Sequence, residues 1–220
     1  MREQFHGELQ VISDQLVEMT RLVGSAIERA TTALLDADLS LAESVIEADR
    51  QVDAVQNSLE DRAVQVLALQ QPVATDLRVV VTSLRMSADL ERMGDLARHV
   101  AKLARLRYPS TAIPVEVCPT ILEMGHVAQR LVAKTGSVIS GRDLDVASEL
   151  ETDDDVMDEL HRSLFTLLLS PEWSHGIEAA IDVTLCGRYY ERFADHAVSV
   201  ARRVVYLVTG SYPEGQQVAR

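Results

Sequence analysis

The chain has 220 residues, and 34 acidic against 21 basic side chains leave a formal charge of −13, which argues against a nucleic-acid-binding surface. With 47% hydrophobic and 25% charged residues it has the apolar content for a sizeable core, so a disordered acidic tail is excluded. Three Phe, five Tyr and one Trp among abundant Leu, Val and Ala disfavour an all-β fold, and two cysteines, Cys118 and Cys186, without CxxC spacing exclude a disulfide framework, a zinc finger and a thioredoxin-like site.

The N-terminal MREQFHGELQ has no apolar signal core, and no apolar run approaches the roughly 20 residues that span a bilayer. The expectation is a cytoplasmic, soluble protein. From Phe5 through Leu9, Ile12, Leu16, Met19 and Val23 to Ala33, apolar side chains recur by fours and threes, a coiled-coil-like seam. The rhythm resumes at Leu41, Val45, Ala48, Val52, Val55 and Leu59 and continues to Val66 and Leu69 past Arg62. Two long antiparallel helices joined near Ala37–Leu39 are predicted. Pro72 is placed in the first turn of a third helix, whose core stripe is read as Leu77, Val81, Leu84 and Ala88 and whose end falls near Tyr108. Pro109, Pro114 and Pro119 mark a linker.

Beyond the linker the arrangement recurs. VEMTRLV at 17–23 matches LEMGHVA at 122–128, and LSLAESV at 39–45 matches LDVASEL at 144–150, both at an offset of 105. LERMGD at 90–95 matches YERFAD at 190–195, and Pro72 matches Pro171, at offsets of 100 and 99. The smaller offset predicts a shorter connection between the second and third helices of the second copy. A period near 100 residues is too long for a solenoid repeat and points to duplication of a three-helix unit. The expected fold is all-α and elongated: two pseudo-repeated antiparallel three-helix bundles at residues 1–108 and 120–210, a linker at 109–119 and a C-terminal tail at 211–220.

Acids stand where the third-helix stripe would place core residues. Glu91 and Asp95 follow Ala88, and in the sixth helix Ile177, Ile181 and Thr184 lead through Arg188 to Glu191 and Asp195. Like charges four apart on a helix repel, more so when desolvated. The second helix of each copy adds a matched pair beside its seam, Asp49 with Asp53 and Asp154 with Asp158. Antiparallel neighbours would then gather four carboxylates per copy, an all-oxygen set suited to magnesium, calcium, manganese or ferric iron. Two plainer readings stand beside this one. The acids form a solvated helix face, or an arginine among Arg50, Arg78, Arg85 and Arg188 neutralises them as a charge network.

Pro72 followed by Ala74, Asp76, Leu77 and Arg78, the stretch LERMGDLARHVA at 90–101 and YERFADHAVSVARRVVYLVTG at 190–210 together resemble the PhoU family of phosphate transport system accessory proteins, called PhoY in mycobacteria. The resemblance spans nearly the whole chain. It implies paired three-helix bundles and E/DxxxD motifs that hold multinuclear iron or zinc clusters in some members. Those motifs map onto Glu91, Asp95, Glu191 and Asp195, with Asp49, Asp53, Asp154 and Asp158 as co-ligands by position, for iron, zinc, manganese or magnesium. The second copy departs from the pattern, with His175-Gly176-Ile177 in place of DLR and Arg188 one turn before Glu191.

The function implied is regulatory. The protein would link the ATPase subunit of a phosphate-specific ABC transporter to a sensor histidine kinase and hold the phosphate-starvation response off when phosphate is plentiful. It would act as a homodimer that reaches the inner face of the membrane only through protein partners, without direct insertion and without nucleic acid. An enzyme is not expected, since the chain has no Walker motif, GxGxxG or GxSxG. A metal-free helical scaffold is the first alternative. A ferritin-like di-iron oxidase or iron store is the second, suggested by Glu123-Met-Gly-His126, but the position matching His126 in the first copy is Arg21. His99 and His196 are read as solvated or as outer partners of the acids, Cys118 and Cys186 as buried inert thiols, and Met86, Met93, Met124 and Met157 as core filling.

Overall fold

An apolar residue every three or four positions commits a segment to bury one helical face, and six segments do so. The computed structural model describes residues 2–211, with side chains from Phe5 onward, as α1 (Arg2–Leu35), α2 (Leu39–Gln70), α3 (Ala74–Arg107), α4 (Cys118–Gly141), α5 (Leu144–Leu168) and α6 (Gly176–Thr209), with no strand among the described residues. At about 1.5 Å per residue the 34-residue helices α1, α3 and α6 are each about 50 Å long, so the molecule is elongated. Apart from Ser211, the expected tail lies outside the described residues.

Local chemistry sets the helix ends. Asp38 caps α2, its carboxylate accepting from Leu41 N at 2.9 Å, and Asp143 caps α5 in the same way through Asp145 N and Val146 N. Ala37 takes a left-handed φ of 52° to turn the chain between α1 and α2. Pro72 does not open α3 as predicted. It stands in the link before the helix, with Val73 extended at the N-cap (φ −126°, ψ 159°), where its missing N–H interrupts no helical hydrogen bond. The connection in the second copy is also not shorter. Residues 169–175 span seven positions where 71–73 span three, and the lower offset comes from α5 having 25 residues against 32 in α2.

Sequential neighbours pair antiparallel. Arg62 meets Glu8 across α1 and α2, Arg98 meets Asp49 across α2 and α3, Lys134 meets Asp153 across α4 and α5, and Arg202 meets Glu151 across α5 and α6. α1 and α3 of the first copy pack on α4 and α6 of the second, whereas α2 and α5 each touch only helices of their own copy and lie outside. One core therefore runs through both copies, from Ile12 and Met19 to Phe193 and Val200. The first seam is buried as its periodicity requires, and so are Met86, Met93, Met124 and Met157.

α1 crosses α4 at small residues. A Cβ on Gly136 would stand 2.8 Å from Thr20 Oγ1, and one on Gly125 2.7 Å from Thr31 Cγ2. α3 and α6 run antiparallel and are tied by charge along their length. Arg107 donates from Nε to Asp182 at 2.6 Å and also contacts Glu178. In the middle Asp89 accepts from Arg203, His196 and Ser199. Toward the other end Arg78 lies 5.5 Å over the Tyr206 ring.

Candidate functional site: two carboxylate clusters

The inward face of α3 is not the stripe read from the sequence. Leu77 and Val81 are exposed, and the helix buries Val80, Met86, Leu90, Met93, Ala97 and Val100 instead. α6 likewise buries Val183, Tyr190, Phe193 and Ala197 while Ile177 and Ile181 face outward. A central helix touching three neighbours carries two adjacent apolar stripes, and spacing alone does not say which one is buried. Glu91, Asp95 and Glu191 are therefore half-buried at the edge of the core and Asp195 is exposed, rather than within it. Buried charge is found instead at Asp182 of α6, which Arg107 meets, and at Asp49, which lies against α3 and not beside the seam. Gly94 admits it, since a Cβ there would come within 3.3 Å of Asp49 Oδ1.

Antiparallel α2 and α3 gather the four acids of the first copy. Burial raises the Glu91 carboxyl above the usual carboxylate range, and the charges of Asp95, Asp53 and Asp49 add to the rise. Asp49 is raised by burial as well, against the pull of Arg98. Arg98 Nη1 stands 2.8 Å from Asp49 Oδ2, an ion pair without hydrogen-bond alignment, and Nη2 contacts Asp95 Oδ1. Arg92 adds a 3.0 Å contact to Asp95. The neutralising arginine is thus Arg98, while Arg50 pairs with Glu47 and Arg78 stacks on Tyr206.

In the second copy α5 and α6 bring together Asp154, Asp158, Glu191 and Asp195. Arg188 contacts Glu191 Oε1, as its place one turn earlier suggested, and Glu191 Oε2 is buried without a partner. Arg202 is held by Glu151. Burial, then the charges of Asp195 and Asp158, push the Asp154 carboxyl up to about 7. A carboxyl raised in the folded state favours folding below its unfolded value near 3.8, and that advantage is lost as pH rises toward 7. Asp154→Asn is therefore expected to stabilise the chain by about 1–2 kcal/mol at pH 8, allowing for solvent screening, and by less at pH 5. Urea unfolding at the two pH values checks this, and an equal gain at both would refute it.

Both clusters offer only oxygen donors, yet among the described residues no three His, Cys, Asp or Glu side chains are grouped so as to hold a metal ion. In the first copy the place between Asp49 and Asp95 is taken by a guanidinium, and this arrangement does not fit a metal.

The remaining singled-out residues are structural. His126 lies on the surface of α4 beside Glu123 and Arg130. His99 stacks on Tyr189, ring centroids 5.3 Å apart, and its pKa is lowered by burial and then by Lys102. Cys186 is fully buried, and burial raises its thiol, whereas Cys118 is half-buried beside the linker. Sequence reasoning missed Asp89, because its partners on α6 are more than 100 positions away. It also missed an apolar groove of about 580 Å³ between the end of α5 and the start of α6, lined by Phe165, Leu169, Trp173, Ile177, Ile181 and Leu185. No helix among the described residues is long and apolar enough to cross a membrane.

Set beside known proteins, residues 16–104 and 121–204 each match the PhoU domain, so the internal duplication is a tandem of one domain type. The phosphate-specific transport system accessory protein PhoU homolog 2 of Mycobacterium tuberculosis is 50% identical over 213 residues, covering 97% of this chain and all of that protein. The crystal structure of PhoU from Pseudomonas aeruginosa superposes with a TM-score of 0.82 at 29% identity, covering 94% of this chain and 100% of the other. That of the phosphate transport system regulatory protein PhoU from Streptococcus pneumoniae gives 0.84 at 25% identity, covering 96% and 99%.

Proposed function

Because this chain belongs to the PhoU family, we propose that it links the ATPase subunit of a phosphate-specific ABC transporter to a sensor histidine kinase and represses the phosphate-starvation response when phosphate is plentiful. The chain is a phosphate transport accessory and regulatory protein, not an enzyme. The observation that supports a link to the transporter is half-identity, end to end, with a protein named as an accessory of the phosphate-specific transport system.

The physical reading agrees with a binding role. A regulator needs docking surface and a way to relay occupancy, and the exposed apolar side chains at the outer ends of α2/α3 and α5/α6 supply surface in both copies. The relay is the α3–α6 junction, where Arg107 with Asp182 and Asp89 with Arg203 oblige the two copies to move together. In this proposal the chain acts at the inner face of the membrane through its partners, as a symmetric dimer.

The test is a deletion strain carrying a phosphate-starvation promoter reporter, grown in high phosphate, with the protein crosslinked to its partners in parallel. A reporter derepressed in the deletion strain and repressed again by the full chain, with crosslinks to the ATPase subunit and the kinase, is the expected result. A reporter that stays repressed in the deletion strain, or crosslinks to neither partner, would overturn the proposal.

A further inference from the structure

The two carboxylate clusters come from matched positions of a duplicated sequence, yet they differ at two positions. The offset of 100 that aligns Glu91 with Glu191 and Asp95 with Asp195 aligns Arg98 with Val198. Val198 is buried in the core. Arg98 instead spends both terminal nitrogens on acids from two helices, Asp49 of α2 and Asp95 of α3. The Asp49 side chain is only 5% exposed, so it has left water and has a cation as its neighbour. Position 94 differs in the same sense. Glycine there lets Asp49 approach α3, and the second copy has Ala194.

We propose that Arg98 is the resident cation of the first cluster, its guanidinium taking the place between Asp49 and Asp95 that a metal ion would need, so that the first copy of this chain is closed to metal. A guanidinium keeps its charge at any pH the fold survives, so it does not leave by deprotonation. A divalent ion would have to take its oxygens from Asp49 and Asp95 while lying against a fixed positive charge in a partly desolvated site. The second cluster has no such bridge. Arg188 reaches Glu191 alone, and among the described residues neither Asp154, Asp158 nor Asp195 is held in an ion pair. The two copies therefore differ in what neutralises their acids.

The test is a Mn²⁺ titration of the purified full-length chain, followed by electron paramagnetic resonance and elemental analysis. Wild type is compared with Asp49→Asn, Arg98→Val, Arg98→Gln and Arg98→Val/Asp49→Asn, with helicity checked by circular dichroism. Asp49→Asn alone is expected to leave the wild-type Mn²⁺ content unchanged. Arg98→Val, which copies the second-copy residue, and Arg98→Gln are expected to bind about one further Mn²⁺ per chain, lost again in the double variant. Loss of Mn²⁺ in Asp49→Asn would show that the first cluster already holds metal and would overturn the proposal. So would helical Arg98 variants that gain none. The Asp49→Asn arm does not depend on the Arg98 variants folding.

Discussion

Replacing Asp89 by Ala is expected to lower the melting temperature by roughly 6–12 °C at pH 7. Asp89 sits where α3 crosses α6, and its carboxylate accepts from Arg203 Nε at 2.8 Å, His196 Nδ1 at 3.0 Å and Ser199 Oγ at 3.2 Å. The side chains of Asp89 and Arg203 are each 12% exposed, so truncation strands a largely desolvated guanidinium. Breaking a buried pair in this way costs about 3 kcal/mol or more, and each kcal/mol is worth roughly 2–4 °C for a chain of this size. Burial pushes the Asp89 carboxyl up, but the hydrogen bonds from His196 and Arg203 outweigh it and hold it below its ordinary value. Its contribution is therefore present above the ordinary carboxylate range and lost as pH falls through the folded value. Thermal melts from pH 7 down to pH 3 should show wild type and Asp89→Ala converging in acid. A constant gap would mean that Asp89 acts by packing alone. Ser199→Ala, which removes only the longest of the three bonds, should cost under about 1 kcal/mol.

Gly125→Ala should destabilise the chain by about 1–3 kcal/mol, although Ala is favoured over Gly in a helix by about 1 kcal/mol. The opposite sign comes from the α1–α4 crossing. The new methyl would stand 2.7 Å from Thr31 Cγ2 and 2.9 Å from Thr31 Oγ1. Thr31 is buried and β-branched, so it has few rotamers in which to retreat. Its hydroxyl donates to Ile27 O at 2.8 Å and pairs with the fully buried Tyr190 hydroxyl at 2.7 Å. Moving it costs overpacking and leaves a buried phenol without its partner. Urea unfolding measures the loss. The triple variant Gly125→Ala, Thr31→Ala, Tyr190→Phe, which removes both the clash and the stranded hydroxyl, should recover most of it. No recovery would place the strain elsewhere.

The Asp89 and Gly125 contacts lie beyond sequence reasoning for a common reason. Asp89 is bound by residues 107 to 114 positions away, and Gly125 is constrained by a threonine in another helix that is itself tied to α6. Nothing local marks either residue. By contrast, the matched acids of α2 with α3 and of α5 with α6 were legible, because duplication repeats them at constant offsets and antiparallel pairing brings equivalent positions together. Their neutralisation was not. Arg98 lies only three residues after Asp95, but its approach to Asp49 depends on Gly94 and on the rotation of α2 against α3.

Six helices, the duplication and the family resemblance follow from the order of residues alone. Helical periodicity and internal repetition are one-dimensional properties, and a seam such as Ile12, Leu16, Met19 and Val23 has a single face to bury. The tertiary structure decided which of two apolar stripes on α3 and α6 turned inward. It also merged the two copies into one core, and it bridged two acids of the first cluster with Arg98 while Arg188 of the second reaches Glu191 alone. Those outcomes depend on helix rotation and on close approach at glycine. They are set by side chains far apart in the chain competing for the same space, a competition that local spacing does not record.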